Sequence, residues 1–582
     1  MKKIFTSLLL FVVSLTLSAQ DWKGWPADYD GVMLQGFYWD SYSDTKWTNL
    51  ESQADELSQF FNLIWVPNSA YANSLTNNMG YHPVYWFDHK SAFGTEAELR
   101  SMIKTFKEKN VGIIEDVVIN HRASVDENWL NFPAEKYKGT TYQLTAADIC
   151  KDDESKDNDF KPTGAADTGD PWDGARDLDH TSDNVKRNVE AYMDCLLNDL
   201  GYIGFRYDFV KGYAAKYVGQ YNQTAKPQFS VGEYWDGNVS KVKAWIDGTK
   251  QDGFIQSAAF DFPLKYYINS AFSNNGNNWS DLDKAALAND AAYARYAVTF
   301  VDNHDTGRSK DDGGDPLYAN VEAANAFIMT MPGTPCVWLK HWMSSKTAIK
   351  KQIVVRKAAG VNNQSEILSH EASANGYVLT VKGTKGNVLL VLGSETAATT
   401  GYKLAVEGTN YKMYVSNSVD ISALDDIQED TFTAPDCCQV GDGEICAFFE
   451  APTSYTAVKC YAWNGSTEYA GGWPGQACTK VGTVNGNNVW KWTYSGTLTE
   501  LPSNIIFNGT GFDQTSDLDF KNGGYYSASG AIQGVVTAIN TIRHTPVVAT
   551  SQAYDMLGRK VEPTTLRKGT IYIQNGKKYL KN

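Results

Sequence analysis

The sequence predicts an α/β fold: a (β/α)8 TIM barrel with an insert after strand 3, followed by an antiparallel β domain and a β-sandwich module. Three observations support this prediction. Between about residues 30 and 360, eight short apolar segments alternate with helical segments. A long polar interval follows the third apolar segment. After residue 360 the chain changes to period-two alternation, which is typical of half-buried antiparallel strands.

Several of the predicted barrel strands are near-continuous hydrophobic runs, as expected for strands covered on both faces. The eight segments are GVMLQGFYW, NLIWVPN, VGIIEDVVIN, YIGFRYDFV, QFSVGEYW, AAFDFPL, YAVTFVDN and TPCVWL. Helical segments lie between them, and Ser182 followed by Asn184 makes a suitable start for one helix. An open doubly wound sheet is the alternative, but no Gly-rich phosphate-binding turn follows any of the strands.

The remaining segments complete the predicted organisation. Residues 122–180 are polar and too long for an ordinary barrel loop, so we interpret them as a functional insertion. The predicted parts are a signal peptide over 1–20, the barrel domain over 21–360, an antiparallel β domain over 361–432, a β-sandwich over 433–535 and a β tail over 536–582.

Composition and the first residues restrict the function. A net charge of −15 offers no basic surface for nucleic acid. Residues 1–20 combine two lysines, an apolar run and a small-residue end, which predicts a secretory signal peptide cleaved after Gln20, with a retained anchor as the alternative. The mature chain should contain no integral membrane segment. Eight cysteines fit an oxidising compartment, and the cluster from Cys437 to Cys478 suggests one or two disulfides of undetermined pairing. We expect a monomer.

Polar side chains collect at the ends of four predicted strands. They are Asp116, Asn120 and His121 on strand 3; Arg206, Asp208 and Lys211 on strand 4; Glu233, Trp235 and Asp236 on strand 5; and Asn303, His304 and Asp305 on strand 7. Singly, each has a structural explanation, such as an ion pair for Arg206 with Asp208 or a helix cap for Glu233. Their joint position at one end of successive strands favours an active site, because catalytic groups of barrels lie at the carboxyl ends of strands.

Carboxylates in such an arrangement suit glycoside hydrolysis, which needs one ionised group and one protonated acid. Arg206 beside Asp208 should keep that aspartate ionised. Glu233 has no such partner next to it in the sequence and is therefore the better candidate for the acid. Histidines 121 and 304 could donate hydrogen bonds to sugar hydroxyls.

Four ordered motifs now indicate a family. The segments DVVINH, GFRYDFVKGY, VGEYW and FVDNHD resemble those of the α-amylase family of (β/α)8 glycoside hydrolases, in order and on the expected strands. The segment from Ile149 to His180 is similar to the insert of plant-type α-amylases, and GYHPVYWFDH and PGTPCVW also resemble that group. The resemblance covers roughly residues 28–430.

The resemblance implies a role for each matching residue. Asp208 would be the nucleophile, Glu233 the general acid/base and Asp305 the transition-state stabiliser, in a retaining double displacement. Arg206 would orient Asp208. Residues that would line the sugar subsites are Tyr81, His121, Lys211, Trp235 and His304. The implied activity is endo-hydrolysis of starch and other α-1,4-glucans. The alternatives are a maltooligosaccharide-forming or transglycosylating enzyme, or a catalytically silent starch-binding surface protein.

The resemblance also implies Ca²⁺, which prefers six to eight oxygen ligands. The family's calcium ligands map onto the side chains of Asn120, Asp167 and Asp177 and the main-chain carbonyls of Asp170 and Gly212. A solvated acidic loop is the alternative. Two departures stand out: Arg176 occupies a position where the family usually has proline, and Pro171 replaces an aspartate that helps to bind an additional calcium in plant enzymes.

The C-terminal third resembles a small starch-binding β-sandwich, with Tyr461, Trp463 and Trp473 as candidate sugar-stacking residues. Trp490 and Trp492 share one strand face, so we expect them in the core. A purely structural sandwich is the alternative. The tail resembles the sorting domains of the type IX secretion pathway of gram-negative bacteria, with a plain β cap as the alternative. Together with the signal peptide, this predicts a secreted or cell-surface protein.

Overall fold

The computed structural model contains two compact units, which divide between residues 430 and 431. It describes residues 24–125, 130–153, 161–273 and 278–427, residues 432–536 apart from short gaps, and parts of 553–581. The predicted signal peptide lies outside the described residues. Among those that are described, no helix is long and apolar enough to cross a membrane.

The first unit is built on a closed barrel of eight parallel strands, each paired with its neighbours in chain order and the eighth paired with the first. The strands are β1 (Met33–Gln35), β2 (Leu63–Val66), β3 (Gly112–Val117), β4 (Gly204–Tyr207), β5 (Phe229–Gly232), β6 (Ala258–Phe260), β7 (Ala297–Phe300) and β8 (Thr334–Trp338). Almost every residue of these strands is buried, which explains their apolar composition. The predicted barrel is confirmed.

Helices surround the barrel. They are α1 (Trp47–Ser52), α2 (Ala54–Phe60), α3 (Glu96–Glu108), α4 (Asp183–Asp194), α5 (Ala215–Ala225), α6 (Val239–Gly248), α7 (Phe262–Phe272), α8 (Val321–Thr330), α9 (Leu339–Ser344) and α10 (Lys346–Ala359). Ser182 caps α4 by accepting hydrogen bonds from the amides of Asn184 and Val185, as predicted. A π-helical turn, Cys195–Leu200, extends α4 to Gly201. Short 3₁₀ turns occur at Ser41–Ser43, Ala146–Asp148, Val210–Gly212, Trp279–Asp283, Ala294–Tyr296, Lys310–Asp312 and Ser422–Leu424.

The insert after β3 is closed at its base. His121–Arg122 pairs with Arg176–Asp177 in a two-stranded antiparallel sheet, so its first and last residues lie side by side. Within the insert, Glu135–Tyr137 and Thr140–Tyr142 form a hairpin. A further two-stranded sheet, Tyr71–Ala72 with Pro83–Tyr85, precedes the insert. The insert therefore begins and ends beside the carboxyl end of β3.

A five-stranded antiparallel sheet completes the first unit. Its strands are β9 (Glu366–Ala372), β10 (Gly376–Lys382), β11 (Asn387–Gly393), β12 (Tyr402–Gly408) and β13 (Tyr411–Ser416), in the spatial order β9-β10-β11-β13-β12. The apolar residues of this sheet belong to the same continuous core as the barrel. Phe327 of α8, for example, packs edge-on against Tyr377 of β10.

The second unit contains two mostly antiparallel sheets. The first has the order Thr479–Val484, Asn487–Tyr494, Ile445–Ala451, Gly524–Ser527 and Ile532–Val535. The second joins Thr467–Glu468, Ala457–Asn464, Asn504–Thr510 and Phe512–Gln514, with Gln476–Ala477 and Leu518–Asp519 at its sides. Trp490 and Trp492 are buried, as predicted. Near the end of the chain, Ala553–Asp555, Lys560–Val561, Ile571–Gln574 and Lys577–Leu580 form a four-stranded sheet.

The expectation of one or two disulfides is not met. All eight cysteines lie among the described residues, and each is a free thiol. The sulfur atoms of Cys437 and Cys438 are 4.0 Å apart, about twice the length of a disulfide bond. Cys460 lies opposite Gln476, so Cys478 is only its diagonal neighbour, wider apart than a directly facing pair.

Candidate active site

The carboxyl ends of β3, β4, β5 and β7 bring the predicted catalytic residues together. Arg206 on β4 lies directly beside Asp116 on β3. The hydrogen bonds between neighbouring strands continue one residue beyond the strand ends. The amide of Asp208 donates to Val117 O, and the amide of Glu233 donates to Tyr207 O. Asp305 joins the group through the loop after β7. Predicted neighbours at one strand end are therefore neighbours in the structure.

One buried arginine connects three carboxylates. Nη1 of Arg206 donates to Asp116 Oδ1 at 2.6 Å and to Asp208 Oδ1 at 2.8 Å, and its Nη2 lies 2.7 Å from Glu233 Oε1. The guanidinium also lies over the ring of Trp65. Glu233 has no arginine next to it in the sequence, but the structure gives it one: Arg206 contacts both Asp208 and Glu233.

A strained backbone conformation fixes the second contact of Glu233. Phe209 follows Asp208 and has a φ of +41°, which is rare for a residue with a side chain. In this conformation its amide donates to Glu233 Oε2 at 3.0 Å. The Glu233 carboxyl is thus held on one oxygen by Arg206 and on the other by the residue after Asp208.

The electrostatics favour retention of a proton in this cluster. Burial raises the pKa of Glu233 to about 8, with Arg206 opposing the change and the charges of Asp208 and Asp305 adding to it. Burial likewise raises the pKa of Asp116 to about 7 and that of Asp305 to about 6, again against the effect of Arg206. Glu233 is the predicted acid whose protonated form persists to the highest pH.

His304 is a neutral hydrogen-bond donor at the floor of the site. Burial, reinforced by Arg206 and Arg308, lowers its pKa far below the usual value. Gln35 Nε2 donates to Nδ1 at 2.9 Å, which leaves the proton on Nε2. That nitrogen lies 2.6 Å from the Tyr81 hydroxyl and 3.2 Å from Asp305 Oδ2. Tyr81 in turn donates to Asp116 Oδ2 at 3.1 Å. The hydrogen bonds therefore form one donor-to-acceptor chain from Gln35 through His304 and Tyr81 to Asp116.

Aromatic rings form the walls of the site. Trp39 is stacked on Tyr81 with 5.9 Å between ring centroids, and the guanidinium of Arg308 lies over the Trp39 ring at 4.6 Å. His121 Nε2 donates to Tyr81 O at 2.8 Å, and its ring stacks on Trp172 at 3.8 Å between centroids. Burial lowers the pKa of His121 to about 4. Flat rings of this kind are suited to pack against the apolar faces of sugars.

Lys211 and Trp235 lie farther out, toward solvent. Lys211 Nζ is 3.2 Å from Asp170 Oδ2 and 3.9 Å from Asp236 Oδ2. Trp235 stacks on Phe262 and donates its indole N–H to the Tyr266 hydroxyl at 2.7 Å. Both residues are half-buried, so they can border a bound chain without belonging to the carboxylate cluster.

Sequence reasoning missed three residues of this site, Gln35, Trp39 and Trp172. It named Asp116 but did not assign it as a partner of Arg206. Two of the missed residues carried a usable signal, because Gln35 is a polar residue inside an apolar strand and Trp39 follows the end of β1. Trp172 lies in the insert, where no periodicity indicates which side chains reach the barrel.

The predicted calcium ligands surround the base of the insert. Asn120 Nδ2 donates to Asp177 Oδ1 at 2.9 Å, and a Cβ on Gly212 would lie 2.0 Å from Asn120 Oδ1. The Asp170 amide donates to Lys211 O, next to Gly212. Asp167 Oδ1 accepts from the amides of Thr168 and Gly169. No group of three or more His, Cys, Asp or Glu side chains suited to a metal occurs among the described residues.

The second unit presents the predicted aromatic cluster. Tyr461 and Trp463 stack at 5.2 Å between centroids, and Trp473 meets Tyr461 edge-on at 5.7 Å. Trp473 is 54% exposed, and the Tyr461 hydroxyl donates to Glu468 Oε1 at 2.6 Å. The three rings together form an aromatic surface that solvent can reach.

Comparison with known proteins agrees with this geometry. Residues 61–341 match the alpha amylase catalytic domain, and residues 447–520 match starch-binding module 26. Probable alpha-amylase 2 of Arabidopsis thaliana is 30% identical over 404 residues, which is 66% of this chain and 93% of that protein. The glucan 1,4-alpha-maltotetraohydrolase of Stutzerimonas stutzeri is 29% identical over 430 residues, 67% of this chain and 74% of that protein.

A solved structure supports the fold. The alpha-amylase from Geobacillus thermoleovorans, complexed with acarbose, superposes with a TM-score of 0.50 at 14% identity, covering 66% of this chain and 98% of that one. The chain therefore belongs to the α-amylase family of glycoside hydrolases, which act on α-1,4-glucans, and it carries a starch-binding module of type 26.

Proposed function

We propose that this protein is an endo-acting α-amylase that cleaves internal α-1,4 bonds of starch with retention of anomeric configuration. The observation that carries the proposal is the position of Asp208 and Glu233 on the two Nη atoms of one buried arginine. Two carboxyl groups that contact one guanidinium face the same small volume, and retaining enzymes use a carboxyl pair about 5–5.5 Å apart.

The proposed reaction has two steps. Asp208 attacks the anomeric carbon while Glu233 protonates the departing glycosidic oxygen, so the C–O bond breaks and a glucosyl-aspartate forms. Glu233, now ionised, then removes a proton from water, and the resulting hydroxide displaces Asp208 from the same carbon. Asp305 stabilises the positive charge that develops on the sugar ring. Nε2 of His304, beside Asp305, is placed to bind a sugar hydroxyl, and the ring of His121 lines the site.

A time course on soluble starch tests the cleavage mode. Viscosity, reducing ends and product anomer would be followed together. Rapid viscosity loss with few new ends and α-anomeric products is the expected result. One dominant short product with slow viscosity loss would favour the maltooligosaccharide-forming alternative. The similarity to a maltotetraohydrolase is the observation that supports this alternative. Starch binding without any hydrolysis would favour the silent binding protein.

The pKa shifts predict a bell-shaped pH dependence of kcat/KM. Glu233 must be protonated, so activity should fall as pH rises through its pKa of about 8. Asp305 must be ionised, so activity should fall as pH decreases through about 6. Initial rates at low substrate concentration from pH 4 to 10 would measure both limbs. Circular dichroism at each pH is the control for unfolding, and an alkaline limb near pH 5 would contradict the assignment of Glu233.

Calcium is part of the proposal. Asn120 Oδ1 is a buried acceptor with no hydrogen-bond partner among the described residues, which fits a cation at this point. Asn120 with Asp167, Asp170, Asp177 and Gly212 would hold the ion, which would supply a structural cross-link between the insert and β3 and β4. Pro171 cannot replace the aspartate of a second site, so we propose one ion.

Removal of calcium should therefore lower thermal stability. In excess EDTA we expect the Tm of the barrel unit to fall by several degrees, since a bound ligand stabilises the native state by about 3–4 kcal/mol when present at 100–1,000 times its Kd. Calorimetry with and without added CaCl₂ measures the shift, and magnesium serves as the control ion. An unchanged Tm in EDTA would remove calcium from the proposal.

We further propose that the protein is exported as a monomer. Residues 1–20 would direct it across the inner membrane and residues 536–582 across the outer membrane, which would bring the enzyme to extracellular starch. The aromatic surface of Tyr461, Trp463 and Trp473 would hold the polymer near the barrel.

A further inference from the structure

A cavity of about 440 Å³ lies between α7 and the loop that follows β7. We propose that it is a binding subsite for a distal part of the α-glucan chain, with Tyr318 as the stacking platform. This inference rests on the proposed function and extends its substrate site beyond the carboxylate cluster.

The cavity is connected to the active site by a direct contact. Tyr266 lines it, and the hydroxyl of Tyr266 accepts the indole N–H of Trp235 at 2.7 Å. Trp235 lies two residues after Glu233. Tyr266 lies one turn into α7, which begins at the carboxyl end of the barrel, and the lining continues along the helix to Ser273. A chain leaving the active site past Trp235 would follow α7 to reach Tyr318.

The loop that carries Tyr318 is held firmly on both sides. Lys265 Nζ and Asn269 Nδ2, both on α7, donate to Asp315 O at 2.5 and 2.7 Å. The Leu317 amide donates to Asp302 Oδ2 at 2.9 Å, and Asn320 Nδ2 donates to Phe272 O at 2.8 Å. Four hydrogen bonds therefore fix the backbone before and after Tyr318.

Tyr318 nevertheless presents its ring to solvent. It is 71% exposed, the highest value among the large hydrophobic side chains that the structure leaves exposed in the described residues. A single exposed apolar residue is common on protein surfaces. An aromatic ring held by an anchored loop at the rim of a cavity is less easily explained, because a rigid aromatic contact is what a binding site requires.

The rest of the lining indicates the class of ligand. Ser270 and Ser273 supply hydroxyls, and Lys310 and Asp315 supply charged hydrogen-bonding groups around the two tyrosines. Rings that cover apolar faces, surrounded by donors and acceptors, match a neutral polyhydroxylated chain. A lipid or other apolar ligand would leave these polar groups without partners.

Hydrolysis of two substrates of different length tests the inference. For Tyr318→Ala we expect kcat/KM on maltoheptaose to fall about tenfold and kcat/KM on maltotriose to change by less than about twofold, as for loss of one aromatic contact that only the longer chain makes. Tyr318→Phe keeps the ring and should retain the activity of the wild type on both substrates. Phe254→Ala removes another exposed ring, in the turn before β6 at the opposite end of the barrel, and should change neither value.

The outcomes separate this inference from the proposed function. Equal loss on both substrates, or no loss on either, would overturn the subsite while leaving the hydrolase assignment intact. A wild-type enzyme that cleaves neither substrate would overturn the proposed function and the subsite with it.

Discussion

Asp208→Asn should lower kcat on soluble starch by roughly 10⁴-fold or more, the scale on which loss of a nucleophile acts. The substitution changes shape little but removes the charge that would attack the anomeric carbon. The residue lies at the edge of the buried cluster, with its carboxyl 2.8 Å from Arg206 Nη1. Binding of starch should persist, because the aromatic walls and the starch-binding module are untouched. Initial rates and a starch pull-down with the same preparation measure the two effects.

Asp236→Asn is the matched control for this experiment. Asp236 lies at the same mouth and pairs with Lys241 at 2.9 Å, but it has no contact with Arg206 among its described interactions. Its variant should keep most of the activity. In Asp208→Ala, which vacates the space of the carboxyl group, a small anion such as azide should restore part of the turnover with a glycosyl azide as product. Near-normal hydrolysis by Asp208→Asn would exclude this residue as the nucleophile.

The barrel and the carboxylate cluster at its carboxyl end were predictable from local sequence. Strands covered on both faces require continuous apolar runs, so charges at their ends stand out. Asp208, Glu233 and Asp305 each follow such a run, and the rule that parallel strands share a carboxyl end places them together. Burial and hydrogen bonding then bring the three side chains within reach of Arg206 or His304.

The sharing of Arg206 was not predictable in the same way. Its contact with Asp116 depends on the register between β3 and β4, and its contact with Glu233 depends on the backbone of Phe209. Neither contact can be predicted from the sequence of a single strand. Sequence proximity suggested a partner for Asp208 alone, whereas the structure has one cation among three carboxylates.

The insert shows the same limit. The family resemblance implied calcium ligands in and around it, but the packing of Trp172 on His121 comes from the path of an irregular chain. Arg176, which departs from the family's proline, is buried and lies 3.4 Å from Asp153 within the insert. Arg176 therefore has an ion-pair partner within the insert, which the periodicity of the sequence could not predict.

Arg206→Met should strongly destabilise the barrel, and the loss should grow with pH. Arg206 has no exposed surface, and its removal leaves Asp116, Asp208 and Glu233 buried without their cation. Breaking such a buried pair costs about 3–5 kcal/mol. Without the opposing effect of Arg206, the native-state pKa values of Asp116 and Glu233 should rise further in the variant. Its native state then binds more protons than its unfolded state, and its stability falls as pH increases. Thermal unfolding from pH 5 to pH 8 measures this dependence against the wild type.

Arg356→Met separates the effect of charge from the effect of burial. Arg356 is equally buried but donates to three main-chain carbonyls, those of Met329, Met331 and Gly333, at 2.8–2.9 Å. Its loss should also destabilise the protein, but by an amount that changes little with pH, because no carboxylate is left unpaired. If the destabilisation by Arg206→Met were equally flat across this range, the three carboxylates would not depend on Arg206 for their ionisation. The electrostatic basis for assigning Glu233 as the acid and Asp208 as the nucleophile would then fail, whatever the distances between them.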